Sequence, residues 1–161
     1  MREDILSILE KDSRVTPADL AIMLGRAEAD VAAEIAAMID EQVICGFNTL
    51  INWDKTDREF VTAMIEVKVA PMRGQGFDKI AERIYKFDEV KAVYLMSGGF
   101  DLTIIMEGRT IKDISHFVSS KLSPLESIVS TSTHFVLKKY KDHGTIIEKD
   151  AKKDERMIVS P

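Results

Sequence analysis

Only one cysteine, Cys45, occurs in the 161 residues, so no internal disulfide can form. Its place in the apolar run Val43, Ile44, Cys45 predicts a small buried hydrophobe in a reducing compartment. Long hydrophobic runs are missing as well. Every apolar stretch is interrupted before the roughly 18 residues that span a bilayer, and Met1-Arg2-Glu3-Asp4 places no apolar core behind a basic start. A cytoplasmic chain with no membrane partner and no processed leader is expected. Histidine is scarce, and His116, His134 and His143 have no ligating partner three or four residues away, so they read as surface or interface residues and no metal is implied. No phosphate-binding loop, dinucleotide fingerprint or nucleophile elbow occurs, and the lone Gly74-Gln75-Gly76 reads as a turn before a helix, so no cofactor is expected. Positive charge is short too: 22 Lys and Arg face 27 Asp and Glu, a net charge of -5 that argues against a general polyanion binder. The deficit sits early, since up to Gly46 four basic residues (Arg2, Lys11, Arg14, Arg26) face ten acidic ones.

What is present is globular: 45% hydrophobic and 30% charged residues. Residues 2–11 carry Ile5, Leu6, Ile8 and Leu9 at helical spacing. Thr16 and Pro17 form an N-cap and first-turn pair for a second short helix (Leu20, Ala21, Met23, Leu24) that stops at Gly25. A third helix is predicted from about residue 27 to 41, with Val31, Ile35, Met38 and Ile39 on one face. From Val43 to Trp53 the apolar residues tend to alternate, which predicts a wing or tether strand, broken by Asp54-Lys55-Thr56-Asp57. Further strands are predicted at 60–70, 90–96, 100–106 and 128–140. Helices fall between them, one bearing Phe77, Ile80, Ala81, Ile84 and Tyr85, the other capped by Thr110 and bearing Ile111, Ile114, Phe117, Val118 and Leu122. The eight methionines read as core filler.

The order β-α-β-β-α-β predicts an α+β fold: a winged helix-turn-helix head followed by a ferredoxin-like sheet with two helices on one face. Its domains are expected at 1–46 (head), 47–59 (wing and linker), 60–141 (ferredoxin-like domain) and 142–161 (tail, ending in the apolar triplet Met157, Ile158, Val159). A sheet this rich in Val, Ile, Met and Phe should leave an apolar outer face, and a homodimer through that face is the simple cover.

Nearly the whole chain, to about Lys141, resembles the Lrp/AsnC family. The head segments Asp4-Ile5-Leu6-Ser7-Ile8-Leu9, Asp12-Ser13-Arg14-Val15-Thr16, Asp19-Leu20-Ala21 and Val43-Ile44-Cys45-Gly46-Phe47 are similar to that family's helix-turn-helix and the entry to its wing. Val93 with Ser97-Gly98-Gly99-Phe100-Asp101, then Ser130-Thr131-Ser132-Thr133, resembles the turn and final strand of its amino-acid-metabolism regulatory (RAM) domain. The resemblance implies a DNA-binding transcription regulator that responds to an amino acid or related metabolite and assembles beyond the dimer. Effectors of such proteins bind between dimers. The implied effector residues are Ser97, Gly98, Gly99, Phe100 and Asp101, with Thr131 and Thr133 nearby. Two glycines free backbone N–H groups for a carboxylate, and Asp101 offers the opposite charge to an ammonium.

The third helix departs from the family pattern. Where members carry a capping Ser, two Arg and a terminal Gly, this chain has Ala27, Glu34, Ala37 and Gln42. Glu28, Asp30, Glu34, Asp40 and Glu41 give that helix the wrong sign for a duplex, and Glu34 is expected either to repel phosphate or to be held off it by geometry. DNA contact then falls to Arg14, Thr16 and Arg26 at phosphates and to Ala29, Ala32 and Ala33 at thymine methyls. Two alternatives stand beside the regulator: a metabolite-sensing or protein-interaction protein with a degenerate head, and an enzyme like the siroheme decarboxylases, with an acid or base drawn from His134, Tyr94 or Tyr140.

Overall fold

The computed structural model describes residues 1–70 and 76–147, in two compact units, Met1–Leu50 and Ile51–Pro161. The readings of Gly74-Gln75 and of the triplet Met157, Ile158, Val159 lie outside the described residues.

The first unit packs α1 (Arg2–Leu9), α2 (Pro17–Leu24) and α3 (Glu28–Asp40) around Ile5, Leu9, Leu20, Ala21, Val31 and Met38. Thr16 caps α2 reciprocally: its hydroxyl accepts from the Asp19 N–H, and the Asp19 carboxylate accepts from the Thr16 N–H. Gly25 ends α2 at φ 61, the left-handed conformation that only glycine adopts without strain. Three expectations fail around α3. Ile39 lies on the exposed flank rather than in the core. Residues 43–52 form no strand, because nothing among the described residues offers them a ladder. Cys45 is exposed, its thiol donating to the Gln42 carbonyl at 3.2 Å, while its neighbour Ile44 is the residue of that run that packs on the core.

The second unit begins with a 3₁₀ turn (Trp53–Lys55) and builds β1 (Val61–Val69), α4 (Phe77–Tyr85), β2 (Val90–Leu95), β3 (Leu102–Gly108), α5 (Ile111–Phe117) running into a π turn (Val118–Leu122), and β4 (Ile128–Phe135). The sheet is antiparallel in the order β2-β3-β1-β4. A small hairpin, β5 (Lys141–Asp142) and β6 (Thr145–Ile146), follows. Thr110 caps α5 with Asp113 in the same reciprocal way as Thr16 and Asp19. Alternation sends Ala63, Ile65, Val67, Val69, Leu102, Ile104 and Met106 inward against Ile80, Ile84, Ile114, Phe117 and Leu122 of the helices. The expected third strand starts two residues late, at Leu102, because residues 97–100 make a wider turn closed by Met96 N–H donating to the Asp101 carbonyl at 2.8 Å. The last strand stops at Phe135 rather than Tyr140, because β1 no longer runs beside it after Val136 donates to the Thr62 carbonyl.

The outer face of the sheet is less apolar than expected. In register, one row across it is Ala92, Ile105, Met64 and His134, and the next is Tyr94, Thr103, Glu66 and Ser132. Lys68 and Glu107 add charge beyond these rows. Alternation forces the mixture, since the large aliphatic residues of β1 and β3 fall on the inward positions. Among the described methionines, Met38 and Met106 are buried, whereas Met1, Met23, Met64 and Met96 are exposed, so core filling is a minority role.

Candidate functional site

On α3 the buried side is set by Val31 and Met38, and the opposite side presents Ala29, Ala32, Ala33 and Ala36, all exposed. Arg26 lies exposed just before the helix. Small side chains let a helix backbone approach a groove floor closely. Two of the acidic residues are turned away from this face. Glu34 and Glu41 both reach Arg2 of α1, Glu34 through the guanidinium Nε and Glu41 through a two-point contact at 2.6 and 3.0 Å. These contacts, that to Glu41 foremost, raise the affinity of Arg2 for its proton, and Arg2 in turn lowers the Glu41 carboxyl. Of the two expectations for Glu34, the contact favours the second: its charge is matched by Arg2 and lies off the alanine face. Sequence reading missed Arg2 because the pairing spans 32 and 39 residues with no local periodicity.

Arg14 and Thr16 are already engaged. The Arg14 guanidinium grips Asp12 at 2.9 and 2.8 Å, and the Asp12 carboxyl, bound by that side chain and the Arg14 N–H, is held down at about 2. Thr16 is committed to its cap. An exposed ion pair is easily exchanged for another anion. If Arg14 transfers to a phosphate, the Asp12 midpoint should rise from about 2 toward the ordinary carboxylate range when duplex is added, as a carbon-detected NMR titration would follow. An unmoved midpoint in the complex would remove Arg14 from the interface.

In the second unit, Ser97, Gly98 and Gly99 are exposed, while Phe100 and Asp101 are half-buried. Gly98 sits at φ 146, and a Cβ built at Gly98 or Gly99 would meet nothing within 4 Å, so the turn is open to approach. Asp101 does more than decorate it. One carboxylate oxygen accepts from Val69 N–H at 2.8 Å, beside the register shift at Lys68 and Val69, and Asp101 N–H donates to the Val67 carbonyl at 3.0 Å. The carboxylate thus joins the turn to the end of β1. Thr131 and Thr133 pair with Val67 and Ile65 on the helix-facing side of β4, half-buried. With β1 between them and the turn, they lie about two strand spacings away, on the order of 10 Å. One chain therefore does not bring the turn and the two threonines into a single pocket.

A cleft that sequence reading did not anticipate lies elsewhere in this unit. Residues 51–54 form one wall, Val136, Leu137, Lys138 and Lys139 another, and Phe60, Thr62, Asp142 and Ile147 complete it, enclosing about 40 Å3. Arg58 stacks over Trp53 at 4.4 Å, and Trp53 meets Phe60 at 5.7 Å between ring centres. His134, offered above as an acid or base, instead faces outward, 3.3 Å from Ser132 and 3.6 Å from Glu66 through the same Nε2.

Comparison with known proteins fits this geometry. The family description "Lrp/AsnC ligand binding domain" matches residues 62–146. The chain is 48% identical to the uncharacterized HTH-type transcriptional regulator YugG of Bacillus subtilis, over 98% of this chain and 95% of that one. Among solved structures, E. coli AsnC aligns with a TM-score of 0.67 at 20% identity, covering 91% of this chain and 96% of that one. A Neisseria meningitidis transcriptional regulator in complex with L-methionine aligns at 0.69 and 19%, covering 88% and 90%. At those identities the structures establish the fold, a helix-turn-helix head with a RAM domain. The relatives are regulators rather than enzymes, which removes the decarboxylase-like alternative. The chain belongs to the Lrp/AsnC family of transcriptional regulators.

Proposed function

We propose that this protein binds DNA through α3 and its flanks, responds to a free amino acid at the turn 97–101, and works in the cytoplasm as a homodimer or a larger assembly. The observation that carries the reading is the exposed alanine face of α3, with Arg26 beside it and Glu34 and Glu41 drawn off to Arg2. Arg14 and Arg26 contact phosphate, Thr16 fixes the start of α2, and Ala29 and Ala33 meet the groove floor. The working divisions are a DNA-reading head at 1–46, a linker at 47–59, a sensing and assembly domain at 60–141 and a tail at 142–161. A duplex carrying the protein's own promoter, competed against random duplex at about 0.1 M salt, tests the first part. Specific retention supports it. Failure on every duplex at low salt favours the alternative, an interaction protein with a degenerate head, for which the exposed Glu28, Asp30 and Asp40 speak.

The amino-acid response is supported by the open glycine turn with the Asp101 charge behind it, and by the L-methionine carried by the structurally similar Neisseria regulator. Thr131 and Thr133 join that site only where a second chain completes it. Assembly through the outer sheet face rests on the row Ala92, Ile105, Met64 and on the buried Thr103 hydroxyl there, which has no hydrogen-bond partner among the described residues. Sedimentation of the full chain at micromolar concentration should give a dimer or larger, and Ile105→Lys should shift it toward monomer, since a buried unpaired charge at an interface is strongly unfavourable. A wild-type monomer throughout that range would eliminate sheet pairing.

A further inference from the structure

We infer that the cleft between residues 51–54 and 136–139 is a second small-molecule site, distinct from the turn 97–101, and that it takes an α-amino acid with an apolar side chain. Three observations converge on it. The first is an orphaned polar group: Thr62 lines the cleft, is 8% exposed, and its hydroxyl has no partner among the described residues. A buried hydroxyl left without a partner is unfavourable, so something that supplies one is stabilised there. The second is charge of both signs around the cleft. Lys138 and Lys139 stand with Asp54 and Asp142, and the Lys139 ammonium is only loosely set against Asp142, at 3.6 Å. A zwitterion presents that combination.

The third is the apolar rim. Leu137 is 95% exposed and Ile51 is exposed beside it, next to the Trp53 and Phe60 rings. About 40 Å3 holds a few waters rather than a whole amino acid. The polar end of the ligand therefore occupies the cleft, displacing water at the Thr62 hydroxyl, and its side chain covers Leu137 and Ile51. The Asn52 carboxamide, whose contact to the Ile147 carbonyl is a long 3.5 Å, is a further donor. Residues 51–54 are also the segment by which the chain enters the second unit, so a ligand held there fixes the conformation of the linker.

Trp53 is the only tryptophan and forms part of the wall, so its emission reports on occupancy directly. The full-length protein is titrated with each common L-amino acid to about 10 mM while Trp53 emission is read. At least one apolar amino acid should give a saturable change. Thr62→Val, which keeps shape and removes the orphan hydroxyl, should weaken that response by about tenfold without lowering the melting temperature. Asp101→Asn should leave it in place, which separates this site from the turn. The inference is overturned by an unchanged emission with every amino acid, by a response that Asp101→Asn abolishes and Thr62→Val does not, or by Thr62→Val altering sedimentation, which would assign the cleft to a second copy of the chain.

Discussion

Glutamate at both Ala29 and Ala33 should reduce affinity for a promoter duplex by roughly 100-fold, with the melting temperature unchanged within about 2 °C. Both alanines are exposed on the face of α3 opposite Val31 and Met38, so neither substitution disturbs the core of the head. Glutamate is also a good helix former. In a groove, however, two new carboxylates displace close contact and face phosphate, and contacts of this kind are each worth about 1–3 kcal/mol. Arginine at Glu34 should bring no comparable gain. Glu34 is bound to Arg2 and points off the alanine face, so Glu34→Arg sets two cations together between α1 and α3. Tighter duplex binding by Glu34→Arg, or undiminished binding by the double glutamate variant, would move the interface to another surface.

The second large effect separates two roles of one carboxylate. Asp101→Asn keeps an oxygen that can accept from Val69 N–H but removes the charge, whereas Asp101→Ala removes both. The asparagine variant should melt near wild type and lose its response to amino acids at the turn by at least about tenfold, because the ammonium partner is gone. The alanine variant should in addition lose about 1–2 kcal/mol, a drop of several degrees, because the Val69 N–H at the end of β1 is left without its partner. Thermal shift and calorimetry on the two variants distinguish these outcomes. Equal effector binding by wild type and asparagine variant would leave Asp101 a purely structural residue.

Local signals carried much of the fold. Thr16 with Asp19, Thr110 with Asp113 and Gly25 are caps whose chemistry is complete within three or four residues, and each helix end lies where those residues place it. The period-2 pattern of β1 and β3 fixed which residues face the helices. What the pattern could not reveal depends on partners distant in sequence. Val43 to Trp53 alternates like a strand, but pairing requires a neighbour, and the described residues supply none. Cys45 sits in an apolar run of which only Ile44 reaches the core. In the same way, the acidity of α3 reads as repulsive until Arg2 is placed beside Glu34 and Glu41. At the candidate effector site, the open turn followed from its glycines, but the bond from Val69 to Asp101 joins two strands 32 residues apart. Likewise, Trp53, Phe60 and Thr62 carry no motif, and only the fold sets them across from Leu137 and Lys139.

The most direct test of the account is a salt titration of the full-length protein on a duplex of its own promoter, with and without the amino acids that shift its melting temperature. Saturable binding that weakens as salt rises is expected, with a log–log slope whose magnitude grows by about 0.9 for each phosphate contacted, and an affinity that at least one of those amino acids changes several-fold. Absence of binding at low salt, or binding that no such amino acid alters, would contradict it.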